Sequence, residues 1–255
     1  MYNLGIAFLV GMLVYTPIAF WMGPLYGIAP AVLSFGGVLF FLARWVGKSV
    51  EGELSGVVAL LQDRKIEEAR KLLEGVKAKW GPWQLLIAGQ IDSQIGMIDY
   101  LQLKWDQALP KLEAGQWRNW MALVAIGCIH WRKGDREKLW EYFEKAASAS
   151  PKEGATYMVW ATLLHKADKP EAALKALDLG LKELPANGTL KDLQSAIANK
   201  RKVDTKSFPQ AWYQFFPEDM AQQYMIKGQR TPPPAPPGAA APAGPTNRKM
   251  RRSKT

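Results

Sequence analysis

Trp120-Met-Ala-Leu-Val-Ala-Ile-Gly127-Cys-Ile-His130, continuing through Phe143 and Ala146 to Pro151, is the stretch on which the fold turns. It recurs 34 residues later as Gly154–Pro185. Gly127 then falls on Ala161, Phe143 on Leu177, Ala146 on Gly180 and Pro151 on Pro185. A small residue lets two helices cross closely, a large apolar one fills the gap beside it, and a proline ends the second helix. Each unit therefore predicts two packed helices, and two units in register predict a stack. Upstream, Gly96, Trp105, Ala108, Leu112 and Gly115 repeat the scheme, with the next repeat arriving after 31 residues. Ile66-Glu-Glu-Ala69-Arg-Lys-Leu-Leu73 has the pattern of a second helix, and Glu51–Gln62 stands where its first helix belongs.

This order of small, apolar and proline positions resembles the tetratricopeptide repeat family, whose period is about 34 residues. The resemblance implies an α-solenoid of helix-turn-helix repeats, about four of them over residues 49–185, in an all-α chain. Leu139 and His130 depart from the pattern, at places usually held by Ala and by an aromatic residue. In that family the first helices of successive repeats line a concave groove that holds a peptide. Carried over to matching positions, the groove is Ser93, Met97 and Tyr100, then Val124, Cys128 and Trp131, then Met158, Thr162 and His165. Relatives that clamp a peptide's terminal carboxylate do so with Lys and Asn. Ser, Met, Val, Cys and Thr at these places favour an amphipathic helix or an aromatic-rich peptide instead. The competing assignment is that several of these residues are inter-repeat core.

Working outward, the N-terminal segment carries no charged side chain before Arg44. A bilayer core about 30 Å thick is crossed by roughly 20 apolar helical residues, so this stretch is long enough to cross twice. Gly23, Pro24, Gly27 and Pro30 supply the break, which predicts a transmembrane helical hairpin with spans near 4–22 and 29–46. Ala7, Gly11, Ser34, Gly36 and Gly37 are small enough for close helix approach. A cleaved signal peptide fits less well, because Met1-Tyr2-Asn3 has no basic residue and the apolar run does not stop after one segment. Arg44 and Lys48 flank the second span and the intervening turn has no charge, which puts both termini in the cytoplasm by the positive-inside rule. The location expected is a bacterial inner membrane, with residues 1–48 as the anchor.

The net charge of +10 is unevenly placed. Beyond Asp219 there is no acidic residue, while Lys227, Arg230, Arg248, Lys249, Arg251, Arg252 and Lys254 are basic. The helical domain is thus close to neutral. Residues 186–230 are expected to hold a capping helix, Leu190–Ile197, and an aromatic extension. That extension contains Phe208, Trp212, Tyr213, Phe215 and Phe216, which in free form would be an adhesive surface. It either packs back on the repeats or serves as a partner-binding motif. Residues 231–255 are Pro, Ala and Gly ending in a basic tail, a composition that buries no core and predicts a disordered linker.

Chemistry is sparsely represented. A lone Cys128 permits no internal disulfide, and no Cys-x-x-Cys pair, phosphate-binding loop or nucleophile elbow occurs. His130 lies two residues from Cys128, so on a helix the two point to different faces, which disfavours a metal site. The expectation is a non-enzyme without cofactor or metal, a membrane-integral adaptor for a protein or peptide partner. The alternative is an electrostatic tether, whose basic tail holds RNA, a ribosome or anionic lipid.

Overall fold

The structure, a computed structural model, describes residues 1–205 and 208–219. The linker and basic tail, with Arg248, Lys249, Arg251, Arg252 and Lys254, lie outside the described residues. Among the described residues the chain is all-helical: α1 (Tyr2–Met22), α2 (Pro24–Gln62), α3 (Ile66–Trp80), α4 (Leu85–Leu101), α5 (Trp105–Ala114), α6 (Trp120–Lys133), α7 (Arg136–Ala149), α8 (Gly154–Lys166), α9 (Pro170–Glu183), α10 (Gly188–Ala198) and α11 (Gln210–Phe215).

The first two helices are long and apolar enough to cross a membrane. They fold back on one another at a single residue, Gly23, whose φ of 100° is open to glycine at little cost. Pro24 takes the first position of α2, where its missing N–H has no partner to lose. Pro30, expected to open the second helix, lies inside it. Close approach depends on small residues: a Cβ on Gly27 would meet the Tyr15 ring at 2.9 Å, and Gly11 faces the Ala31 carbonyl and Phe35.

α2 then continues far beyond the apolar stretch. The boundary expected at residue 48 falls inside it, and Glu51–Gln62 is its distal part rather than a separate helix. No proline interrupts residues 46–50, and Val46, Val50 and Val57 keep one face buried against α3 and α4.

The remaining helices pack mainly with their neighbours in sequence, α4 with α5, α6 with α7 and α8 with α9. A recurring stop marks the pattern. After α2, α4, α6, α8 and α10, one residue takes a left-handed conformation: Arg64 (φ 60°), Leu103 (64°), Gly134 (79°), Asp168 (55°) and Lys200 (53°). In each case the next residue donates its N–H back to a carbonyl five positions earlier, Lys65 to Leu60, Lys104 to Asp99, Asp135 to His130, Lys169 to Leu164 and Arg201 to Ala196. These are Schellman-type ends, which satisfy the last carbonyls of a helix and turn the chain sharply. The first four of these turns send α3, α5, α7 and α9 back along α2, α4, α6 and α8.

Two apolar clusters result. One joins α2, α3 and one side of α4 through Val57, Leu73, Val76, Ile91 and Ile95. The other runs from Met97 and Tyr100 through α6 and α8 to α10, and takes in Trp212, Phe215 and Phe216. Asp99 lies between them, fully buried, and accepts hydrogen bonds from Arg70 of α3 and Lys111 of α5 (2.5 Å for the latter). Burial would raise its pKa, but the two cationic donors outweigh that and hold its carboxyl below the usual aspartate range.

Candidate functional site

The residues assigned to a peptide groove come together on α4, α6 and α8. Ser93, Met97, Tyr100, Val124, Cys128, Met158 and Thr162 are all buried, and Trp131 and His165 are half-buried. What lies against α6 and α8 is the chain's own C-terminal segment, through α11. Trp212 and Phe215 are fully buried, Phe216 nearly so, and Phe208 and Tyr213 pack at the edge of the same cluster. Trp212 stacks on Phe216 with ring centroids 4.2 Å apart, Phe208 meets Trp212 edge-on at 5.1 Å, and Phe215 lies 6.1 Å from Trp120.

Polar contacts lock the segment in place. Tyr100 donates its hydroxyl to the Phe215 carbonyl at 2.6 Å. The Arg132 guanidinium donates to the same carbonyl at 2.9 Å, to the Tyr100 oxygen at 2.9 Å and to the Cys128 carbonyl at 3.0 Å. Its Nε reaches the Glu218 carboxylate at 3.0 Å. The same group lies 4.4 Å from the Trp105 ring centroid and 5.1 Å from that of Phe216. A guanidinium is suited to this, since its plane stacks on rings while its edge donates. Trp212 donates its indole N–H to Asp219 at 3.0 Å, and Lys166 stands 5.5 Å from the Trp212 ring.

Burial dominates the titration of this face. It pushes the Tyr100 hydroxyl well above its ordinary value and the Cys128 thiol up to about 12. Both are therefore neutral at pH 7, and the charge that offsets Arg132 is Glu218. A thiol held in this form is a small hydrophobe rather than a nucleophile.

The remaining polar groups do not converge. The His130 ring stacks on Tyr142 at 5.5 Å with Nδ1 3.5 Å from Asp135, and burial lowers its pKa. His165 borders a cleft of about 230 Å³ with Thr162, Lys166, Asp168, Lys202, Val203 and Thr205. Among the described residues no group of three or more His, Cys, Asp or Glu side chains is placed to hold a metal ion.

Arg132 and Glu218 were not singled out from sequence. Arg132 is one helical turn beyond Cys128, and nothing local distinguishes it from Arg136, which caps the Trp131 ring at 3.6 Å. Its role exists only once residues 83 or more positions away are folded against it. The sequence matches no family model and no curated protein.

Proposed function

We propose that this protein is a membrane-anchored adaptor of tetratricopeptide type, organising a protein partner at the cytoplasmic face. In this proposal α1 and the apolar part of α2 cross the bilayer as a hairpin, and the helix pairs from the distal part of α2 with α3 onward form a solenoid. The observation that carries it is α2 itself, which runs as one helix from an apolar N-terminal half into a buried seam of the helical domain. An anchor joined this way holds the domain at a set distance and angle, whereas a flexible linker would not.

Aromatic placement supports the same reading. Trp21 and Tyr26 are exposed at the turn end of the pair, and Tyr2 and exposed Trp45 stand at the other end. An α-helix rises about 28 Å from Tyr2 to Trp21, close to the roughly 30 Å of a hydrocarbon core. Trp and Tyr favour that interface. Arg44 and Lys48 lie at the Trp45 end, which by the positive-inside rule supports a cytoplasmic position for that end.

The face formed by α4, α6 and α8 is closed by residues 208–219, so a partner helix entering it displaces Trp212 and Phe216. Affinity capture and crosslinking in native membranes test this, using full-length protein, a Trp212→Ala/Phe216→Ala double variant and a chain lacking residues 231–255. The expected result is stronger capture by the double variant and unchanged capture without the tail. Equal capture by the double variant overturns the groove as the docking face. Capture lost without the tail, and falling steeply with salt, favours instead the tether reading, which the concentration of basic residues beyond Asp219 supports.

A further inference from the structure

The end of the helical domain nearest α1 carries features that its own packing leaves unused. The turn between α3 and α4 is tied to the start of α1: Tyr2 N–H donates to the Pro82 carbonyl at 3.0 Å and Asn3 N–H to the Trp83 carbonyl at 3.3 Å. Tyr2 meets the Trp83 ring at 5.5 Å, and Trp45 of α2 meets Trp80 at 5.5 Å and Trp83 at 5.6 Å. The turn is therefore held level with the beginning of the first apolar helix and the end of the apolar part of the second.

The neighbouring turn, between α5 and α6, reaches the same end of the domain. Gly115 packs directly on the Gly89 carbonyl, one turn into α4, and Asn119 donates to Ser93 Oγ at 2.8 Å. Its tip presents Trp117, 64% exposed, with the exposed Arg118 beside it. Leu86, in the first turn of α4, is 43% exposed. The two turns at this end thus carry Trp45 against Trp83 and Trp117 under Arg118 (5.8 Å), with Arg44 and Lys48 next to Trp45 in sequence.

We propose that this edge rests on the headgroup layer of an anionic membrane, the same membrane that α1 and α2 enter. The inference depends on the membrane-anchoring reading above and adds a second contact to it. Two observations choose lipid as the occupant. The edge is continuous with the two apolar helices through the hydrogen bonds to Tyr2 and Asn3, so a bilayer around those helices brings its surface to Trp83 without any movement of the domain. Its composition is that of an interfacial belt, in which indoles sit at headgroup level and Arg and Lys pair with lipid phosphates. Contact at Trp117 as well as Trp83 would fix the tilt of the domain and leave α11 facing the cytoplasm.

Depth-resolved quenching tests this on the full chain in vesicles of mixed phosphatidylcholine and phosphatidylglycerol. A fluorophore is attached through cysteine in three separate variants: Leu13→Cys in the middle of α1, Gln116→Cys beside Trp117, and Leu103→Cys in the exposed α4–α5 turn at the opposite end of these helices. Buried Cys128, with its pKa of about 12, does not compete for the reagent. Nitroxide lipids labelled at the headgroup are expected to quench the residue 116 probe several-fold more than the residue 103 probe. Lipids labelled in mid-chain are expected to quench the residue 13 probe alone. Replacing phosphatidylglycerol by phosphatidylcholine is expected to weaken quenching at residue 116. Quenching at residue 13 with residues 116 and 103 alike overturns the proposal and leaves the anchor standing. No quenching at residue 13 removes the membrane reading and this inference together.

Discussion

Asp99 is a buried carboxylate held between two cations. It is fully buried, and its charge is balanced by Arg70 and Lys111, so it ties α4 to both α3 and α5. Removing one partner of a buried pair costs about 3–5 kcal/mol. Because Arg70 and Lys111 keep some contact with solvent, Asp99→Asn is expected near the lower end, read as a drop in denaturant midpoint. The pH dependence follows from the direction of the shift. The folded-state pKa lies below the unfolded value near 3.9. The Asp99 contribution is therefore complete above that value and is lost as pH falls through the lower folded one. Acid titration of stability below about pH 4 should be shallower in Asp99→Asn than in the parent; an identical slope would show that the pair does not drive acid unfolding. In sequence, Asp99 is one of 23 acidic residues and has no mark of its own. Its burial is created by three helices at once.

At the scale of elements, the repeat positions carry their reasons on their surface. Gly127 has its missing Cβ 2.9 Å from the Phe143 ring, and Ala161 is fully buried at the equivalent place. Gly127→Leu and Ala161→Leu should each overpack a helix crossing, at a cost of about 1–3 kcal/mol. Unchanged melting of both variants would contradict the register read from the 34-residue offset. The helix ends allow a test of opposite sign. Leu103 holds a left-handed backbone at φ 64° while half its surface is exposed, and Gly134 holds the equivalent turn at φ 79°. The left-handed region costs a side-chain-bearing residue roughly 1–2 kcal/mol. Leu103→Gly is thus expected to raise stability by up to about 1 kcal/mol, and Gly134→Ala to lower it by about the same amount. Arg64, Leu103, Asp168 and Lys200 hold the same left-handed turn without glycine, so no residue type announces it in the sequence.

Across the whole molecule, the fate of the aromatic segment separates two kinds of stability. Trp212, Phe215 and Phe216 seal the second apolar cluster, and Arg132, Tyr100 and Glu218 hold them there. Deleting residues 208–219 should lower the melting temperature and expose a surface that binds a hydrophobic dye without any partner. Deleting residues 231–255 should leave melting unchanged, since Pro, Ala and Gly in that tract bury no core. A thermally silent first deletion would mean that the segment contributes nothing to the folded state. What the sequence determined by itself was local: helices throughout, from apolar periodicity and small residues at fixed spacing, two apolar helices at the N-terminus, and a segment too aromatic to remain in water. Tertiary structure alone decided that the second apolar helix runs unbroken into the domain, because a gap of a few residues without proline stays helical once Val46 and Val50 find a partner. It also decided that the face of α4, α6 and α8 is closed by α11, since packing an aromatic segment depends on which distant surface presents a matching guanidinium, hydroxyl and cavity, and no local pattern encodes that.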